Sequence, residues 1–440
     1  MSELSVSEMG AGVSAGGRRG GEFVLLGLTD VNGSVRGKAV RPEAFDAALA
    51  DGAAMTDLLL ALDPTDEPIT TYERFGIRAG AGDLLLHPDP STLRDLHWLP
   101  GWRICLCTPC WPDGSACELA SREVLRLALE RMSAQGYQVL AAFEYEIRLR
   151  DAEARPLSSG LSYSLAEISR FERYIARLLP ALEALGVELS AVHTEAGPGL
   201  LELNIAAREG LQAADDAVFL KLAAKEVAAA MGLKASFLAK PAPGEEGSSG
   251  HVHLSCWADG VNAFGGCGQL TPVFGAAIAG VLEHLPAASL LLGPTINSYK
   301  RLVPGWFAPV NVSWGFENRS CAVRVIRGEQ PSRWRIECRR PGADANPYLA
   351  LAALVASAAD GIARGATPPP PVDGDASERN LPPLPGSLES AIGAFDAAPG
   401  FRRLLGEGFC DYYRTSRLWE LDAWRRTVTD WERERYERAV

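Results

Sequence analysis

The sequence lacks three things: a strongly basic run, a hydrophobic run long enough to cross a bilayer, and an internal repeat. Lys and Arg total 43 against 55 Asp and Glu, a formal net charge of -12. With no basic stripe, nucleic acid is not an expected partner. The longest apolar stretches, around Ala350–Ala359 and Leu285–Pro294, fall short of the roughly 20 residues of a spanning helix. No membrane association is expected. No charged segment followed by an apolar one opens the chain, so a cytoplasmic location is expected by default. Cysteines number 9, an odd count in a long chain, which argues against a secreted disulfide framework. Four of them cluster in CLCTPCWPDGSAC as Cys105, Cys107, Cys110 and Cys117. Thiolates at short spacing suit zinc, yet the spacing matches no paired CxxC pattern. Cys105 and Cys107 also alternate in a strand-like segment, and buried free thiols are the expectation.

What is present is an ordinary globular composition, 47% hydrophobic and 22% charged over 440 residues. That length suits two or three domains. Residues 1–21 are rich in Gly and Ser and are expected to be disordered. EFVLLGLTD, a turn at Val31-Asn32-Gly33 and SVRGKAV read as a hairpin opening a small β-rich domain, residues 22–115. Gly33 to Lys38 has the outline of a P-loop but fails as one. Only three residues separate Gly33 from Gly37, and Ala39 replaces the required Ser or Thr. Residues 116–440 form the larger domain. There SREVLRLALERMSAQG predicts an amphipathic helix with a Ser cap and a Gly stop. Helices around 164–185 and 213–231 alternate with strands, ATPPPPVDGDASERNLPPLPGS is a Pro-rich loop, and the charged C-terminal segment is a solvated helix.

Within this frame, charged residues occupy strands where they are costly to bury. In VLAAFEYEIRLR, Glu144 and Glu146 fall on one strand face, because residues i and i+2 do. In HTEAGPGLLELNI, a Gly-Pro-Gly turn can fold the arms carrying Glu195 and Glu202 back on each other. His251 and His253 share a face in GHVHLS, as do Arg335, Glu337 and Arg339 in WRIECRR, and Arg319 and Arg324 lie close in NRSCAVR. Salt bridges explain any one segment well, Glu337 with its arginines or Glu146 with Arg148. Together, five carboxylates and a histidine require more cations. Oxygen-rich ligands with one imidazole suit Mg2+ or Mn2+. With arginines on the same faces, they form the equipment of phosphoryl transfer.

From about residue 22 to the C-terminus the chain resembles the glutamine synthetase superfamily. The resemblance is carried by DVNGSVRGK, FEYE, HTEAGPGLLE, LAKP, GSSGHVHLS, NSYKRLVPGWFAP, WGFENRSCAVR, RIECR and ANPYLALA. It implies an α+β fold, with an N-terminal β-grasp domain and a catalytic domain whose antiparallel sheet curves into a funnel flanked by helices. It implies a homo-oligomer, usually a dodecamer of two stacked hexameric rings, with sites between subunits. It implies two divalent ions, one held by Glu146, Glu195 and Glu202 and one by Glu144, His251 and Glu337. Arg301 would clamp the α-carboxylate of glutamate and Gly247 would match the amino-acid-binding position. Arg319 and Arg339 would hold the reacting carboxylate and the phosphoryl group, and His253, Ser255, Arg324 and Arg335 would line the ATP end. The implied reaction phosphorylates the γ-carboxylate with ATP, then displaces phosphate with an amine.

Four departures bear on this expectation. The glutamate that ammonia-using members carry six positions after Arg301 is Phe307, and a phenyl ring cannot take a proton. The early loop that supplies an aspartate to the ammonium pocket reads DGAAMTDLLL, where Asp57 is the candidate. Leu200 stands where a glutamine helps hold the substrate's amino group, and it offers no hydrogen bond. The regulatory Asn-Leu-Tyr segment reads NLPPLP, and with Pro382 replacing tyrosine that residue cannot be adenylylated. The first two changes favour the branch that joins glutamate to larger amines, such as polyamines, ethanolamine or other primary amines, and the third leaves open an acid that is a close analogue of glutamate or is held differently. True glutamine synthetase and a catalytically silent scaffold are the alternatives.

Overall fold

In the computed structural model, which describes residues 22–266 and 268–440, two sheets divide the strands. The expected disordered tail, 1–21, lies outside the described residues. The first sheet holds β1 (Val24–Thr29), β2 (Val35–Val40), β3 (Ala53–Thr56), β4 (Asp83–Pro88), β5 (Arg94–Asp95) and β6 (Arg103–Cys110). Its order is β2-β1-β6-β4-β3, with β5 also on β6. β1 and β2 form the expected hairpin, Val24 opposite Val40. β1 and β6 run parallel.

The second sheet has ten strands: β7 (Gln138–Arg150), β8 (Leu189–Thr194), β9 (Leu200–Ile205), β10 (Arg208–Glu209), β11 (Lys234–Ser236), β12 (Gly250–Ala258), β13 (Val261–Asn262), β14 (Trp314–Phe316), β15 (Val323–Ile326) and β16 (Arg335–Cys338). Its main path is β14-β15-β16-β12-β7-β9-β8. It is antiparallel except for β14 on β15, so the expectation of a wholly antiparallel sheet misses one edge pair. β7 is the hub, pairing with β9, β10, β11 and β12. Burial alternates along most of it. Phe143, Tyr145 and Ile147 are buried against the helix Gly210–Ala230, while Ala142, Glu144 and Glu146 face the open side.

Helix Ser121–Ser133 is present, but its cap is Ala120 and makes no side-chain bond. The Ser121 hydroxyl instead accepts from Asn346 Nδ2 at 3.0 Å. Asn346 also donates to the Asp30 carbonyl at 2.8 Å and caps helix Pro347–Arg364. One side chain thus ties the loop of the first hairpin to two helices of the larger region. Helix Pro272–Leu292 is longer than its apolar run suggested and is apolar enough to cross a membrane by length and composition. Its most apolar 18-residue window is 89% buried inside the fold. Gly280 and Gly361 allow it to approach helix Pro347–Arg364 closely: a Cβ on Gly280 would lie 2.1 Å from the Ser357 carbonyl oxygen.

Cys105, Cys107 and Cys117 are buried free thiols, as expected, and Cys110 is half-buried. Burial pushes the Cys117 thiol up to about 12. Among the described residues, no cysteine belongs to a group of clustered metal-ligand atoms.

Candidate active site

The register of the second sheet assembles the charged residues in rows. Opposite Glu144 stand His251 on β12 and Asn204 on β9. Opposite Glu146 stands Glu202 on β9, and beyond it His193 on β8. His253 faces Glu337 on β16, which faces Arg324 on β15. The Gly197-Pro198-Gly199 turn joins β8 to β9, so Glu195 and Glu202 meet across it as their spacing predicts. All of these side chains but His253 line a cavity of about 630 Å³. A second cavity, about 440 Å³, adjoins it across Glu144 and Asn204 and is lined by His253, Ser255 and Arg335.

Two clusters of ligand atoms emerge, each spanning less than 4.8 Å: Glu144, His253 and Glu337, and His193, Glu195 and Glu202. His251 belongs with the first, its Nδ1 3.7 Å from Glu144 and 3.5 Å from Glu337. His253 Nε2 is 2.9 Å from Glu144 Oε1, and its Nδ1 accepts from Arg335 Nε at 3.2 Å. Burial alone would raise the Glu144 carboxyl, but His253 and His251 hold it well below the usual range. The same contest at Glu337 ends with its carboxyl at about 2, held there by His251, His253 and Arg339.

The salt-bridge explanation holds in part. Glu337 accepts from Arg339 Nη1 and, at 2.8 Å, from Arg324 Nη1. Arg335, on the same strand, turns to His253 instead. Glu146 does not pair with Arg148: it accepts from Ser249 N–H at 2.7 Å. Arg148, 2% exposed, bonds the Pro198 and Glu246 carbonyls and pairs with Glu245 at 3.3 Å.

The second cluster is short of positive charge. Burial raises the Glu195 carboxyl, and the charges of Glu146 and Glu202 raise it further. His193 is the imidazole set against them, its pKa raised to about 9 by its bond to Glu202. Two nearby polar atoms, His193 Nδ1 and Asn204 Oδ1, are buried without a hydrogen-bond partner. Hard carboxylates in excess of cations, beside an unsatisfied imidazole nitrogen, fit divalent metal ions.

The remaining expected residues distribute unevenly. Arg301, 6% exposed, enters the main cavity with Nη2 on the Arg340 carbonyl at 2.7 Å. Gly247 is glycine for space, since a Cβ there would lie 2.2 Å from Arg301 Cγ. Arg319, Arg324, Arg339, Leu200 and Phe307 line the same cavity. Asp57 does not. It is buried in the N-terminal region, accepting from Gly76 N–H at 3.0 Å, and this chain's cavity excludes it. Sequence reasoning missed His193, Tyr163, Glu246 and Trp306, all of which line the cavity. His193 stands two residues before Glu195 on a strand, a same-face signal that was readable. Tyr163, whose ring lies 4.9 Å from that of His193, comes from an irregular loop with no periodicity.

Residues 118–436 match the family model for the glutamine synthetase catalytic domain. The chain is 35% identical to gamma-glutamylethanolamide synthetase GlnA4 of Streptomyces coelicolor, covering 98% of this chain and 95% of that protein. It is equally 35% identical to glutamate–isopropylamine ligase of a Pseudomonas species (94% and 95%) and to glutamine synthetase of Thermus thermophilus (94% and 95%). The solved structure "Apo GmaS without ligand" superimposes with a TM-score of 0.84 at 28% identity, over 94% of this chain and 96% of that one. The chain belongs to the glutamine synthetase family and is an ATP-dependent ligase that forms carbon–nitrogen bonds.

Proposed function

We propose that the ligase activates the γ-carboxylate of glutamate and transfers it to an organic primary amine rather than to ammonium. Relatives of equal identity carry both kinds of name, so similarity alone does not choose. The carrying observation is the mouth of the cavity. Phe307 and Tyr163 line it with aromatic surface, 67% and 65% exposed, where a site built for ammonium needs a carboxylate. Aromatic faces take up an alkyl or aryl tail and accept a cationic head.

In this reading Arg301 holds the α-carboxylate, and Arg319 and Arg339 hold the reacting carboxylate and the phosphoryl group. Glu146, Glu195 and Glu202 would hold one divalent ion, Mg2+ or Mn2+, and Glu144, His251 and Glu337 a second; such ions supply positive charge to phosphoryl oxygens. His253, Ser255, Arg324 and Arg335 receive ATP. A γ-carboxylate oxygen attacks the terminal phosphorus and ADP leaves. The amine nitrogen's lone pair then attacks the acyl carbon, phosphate leaves, and the amine gives up a proton. Phe307 can remove no proton from an ammonium form, so the amine must enter as its free base, and the proton that its nitrogen loses after attack leaves with the phosphate. Asp57, buried with its carboxylate on Gly76 N–H and outside this chain's cavity, has no part in this reading.

The test is phosphate release from ATP, Mg2+ and glutamate across an amine panel that includes ammonium, ethanolamine, short alkylamines and polyamines. Saturation with an organic amine at concentrations where ammonium gives little is the expected result. Saturable release with ammonium alone at millimolar levels would make the protein a glutamine synthetase.

A further inference from the structure

We infer that the space between the first sheet and helix Gly210–Ala230 is a second ligand site, and that it takes a small organic ammonium ion on Asp216. The space has a volume of about 430 Å³, room for a small molecule. Asp89, Ser91 and Arg94 of the N-terminal region form one side of it. Gln138 and Val139, where β7 begins, and the first turns of the helix form the other. None of these residues lines the catalytic cavity.

Asp216 lines this space and is 3% exposed, yet among the described residues no hydrogen bond reaches its carboxylate. A buried charge without a partner is costly. Its neighbour Asp215 is satisfied by contrast, accepting from Arg122 Nε and Nη2, each at 2.9 Å, and from the Tyr348 hydroxyl. Arg122 also holds Asp89 at 2.8 Å, so its charge is already shared between two carboxylates. Arg208 Nε stops 3.8 Å from Asp216, and its Nη2 goes to Glu188. Arg94 spends Nε and Nη1 on the carbonyls of Leu185, Ser91 and Leu93. Burial accordingly raises the Asp216 carboxyl to about 7, against the pull of Arg208 and Arg94. What the space lacks is a cation that brings its own N–H donors. A bare divalent ion does not suit, because Asp216 belongs to none of the groups of metal-ligand atoms among the described residues. An alkylammonium ion does. Its N–H groups donate to Asp216 in a charge-assisted bond, and its chain lies along the apolar walls given by Leu129, Leu211 and Phe219. Glu209, exposed on the same lining and without an ion pair among the described residues, adds attraction for a cation.

The experiment titrates the full-length protein with propylammonium chloride by calorimetry at pH 8, without ATP or glutamate, and with 1-propanol as the uncharged control. Wild type is compared with Asp216→Asn, with Leu211→Trp, which fills the space without touching a charge, and with Phe307→Ala at the catalytic mouth. Circular dichroism establishes that each variant is folded. Wild type should bind propylammonium saturably at millimolar levels, one ion per chain, and should not bind propanol. Affinity should fall about tenfold or more in Asp216→Asn and in Leu211→Trp, and stay as in wild type in Phe307→Ala. No saturable binding by wild type, equal binding of propanol, or undiminished affinity in folded Asp216→Asn or Leu211→Trp would overturn the inference. Binding lost in Phe307→Ala alone would place the amine in the catalytic cavity and overturn it as well.

Discussion

Tyr163 and Phe307 line one cavity, and both hold a left-handed backbone, with φ of 54° and 53°. Such a conformation costs a bulky L-residue about 1–2 kcal/mol. Two aromatic residues in this state, both exposed at one opening, point to a selected surface. Replacing Phe307 by Glu restores a proton acceptor and removes apolar area. Phe307→Glu should raise ammonium-dependent phosphate release about tenfold or more and lower release with the preferred amine. If ammonium activity does not change, Phe307 does not set the choice of amine.

Glu144 is the carboxylate on which both sides of the site depend, since it faces His251 and His253 and borders both cavities. Glu144→Gln keeps the shape and removes the charge. Affinity for Mn2+, titrated without nucleotide, should fall at least about 10–100-fold. Turnover should fall with it, and circular dichroism should remain that of the wild type. Unchanged Mn2+ binding would mean that Glu144 serves only to pair the two imidazoles.

Half of this site could be read from the sequence because it is local. Glu144 and Glu146 share a face through the two-residue period of one strand, and Glu195 and Glu202 meet across a single turn. The other half depends on register. Nothing near Glu337 in sequence says that β16 will align it with His253, or that β15 will add Arg324. Tertiary packing also overrides local preference. Arg148 has the same-face spacing to neutralise Glu146, yet it is drawn to the carbonyls of Pro198 and Glu246. Ser121 has the residue type of a helix cap, yet Asn346 takes its hydroxyl. The hairpin Val24–Val40 was legible for the converse reason, because its turn chemistry and apolar pattern agree.

Excess negative charge around Glu146, Glu195 and Glu202 should make the protein depend on divalent ions for stability as well as for activity. A ligand that binds only the folded state stabilises it by about 2.7 kcal/mol at a hundred times its Kd. Thermal denaturation in EDTA should therefore occur at lower temperature than in millimolar Mg2+ or Mn2+. The difference should shrink in Glu195→Gln, which removes one repelling charge. An identical Tm with and without metal would place the ions, if they bind, outside this cluster.

Outside the catalytic cavity, Asp216 lines a separate space of about 430 Å³ with 3% of its own surface exposed. Its nearest cation is Arg208 Nε at 3.8 Å, because Arg122 is already paired with Asp215 and Asp89. Burial, with a smaller contribution from Asp215, raises the Asp216 carboxyl from 3.8 to about 7. The folded protein thus keeps a proton there that the unfolded chain releases near pH 4. Folding is favoured fully by this group below that pH, and the advantage is lost as pH rises through about 7. Asn carries no charge in either state, so Asp216→Asn should raise Tm most at pH 8. The gain should shrink steadily toward pH 5, as wild-type Asp216 takes up its proton in the folded state. Denaturation curves at matched ionic strength across that range measure it. An equal gain at every pH would show that the carboxyl does not titrate within the fold and that the benefit of Asn comes from packing alone.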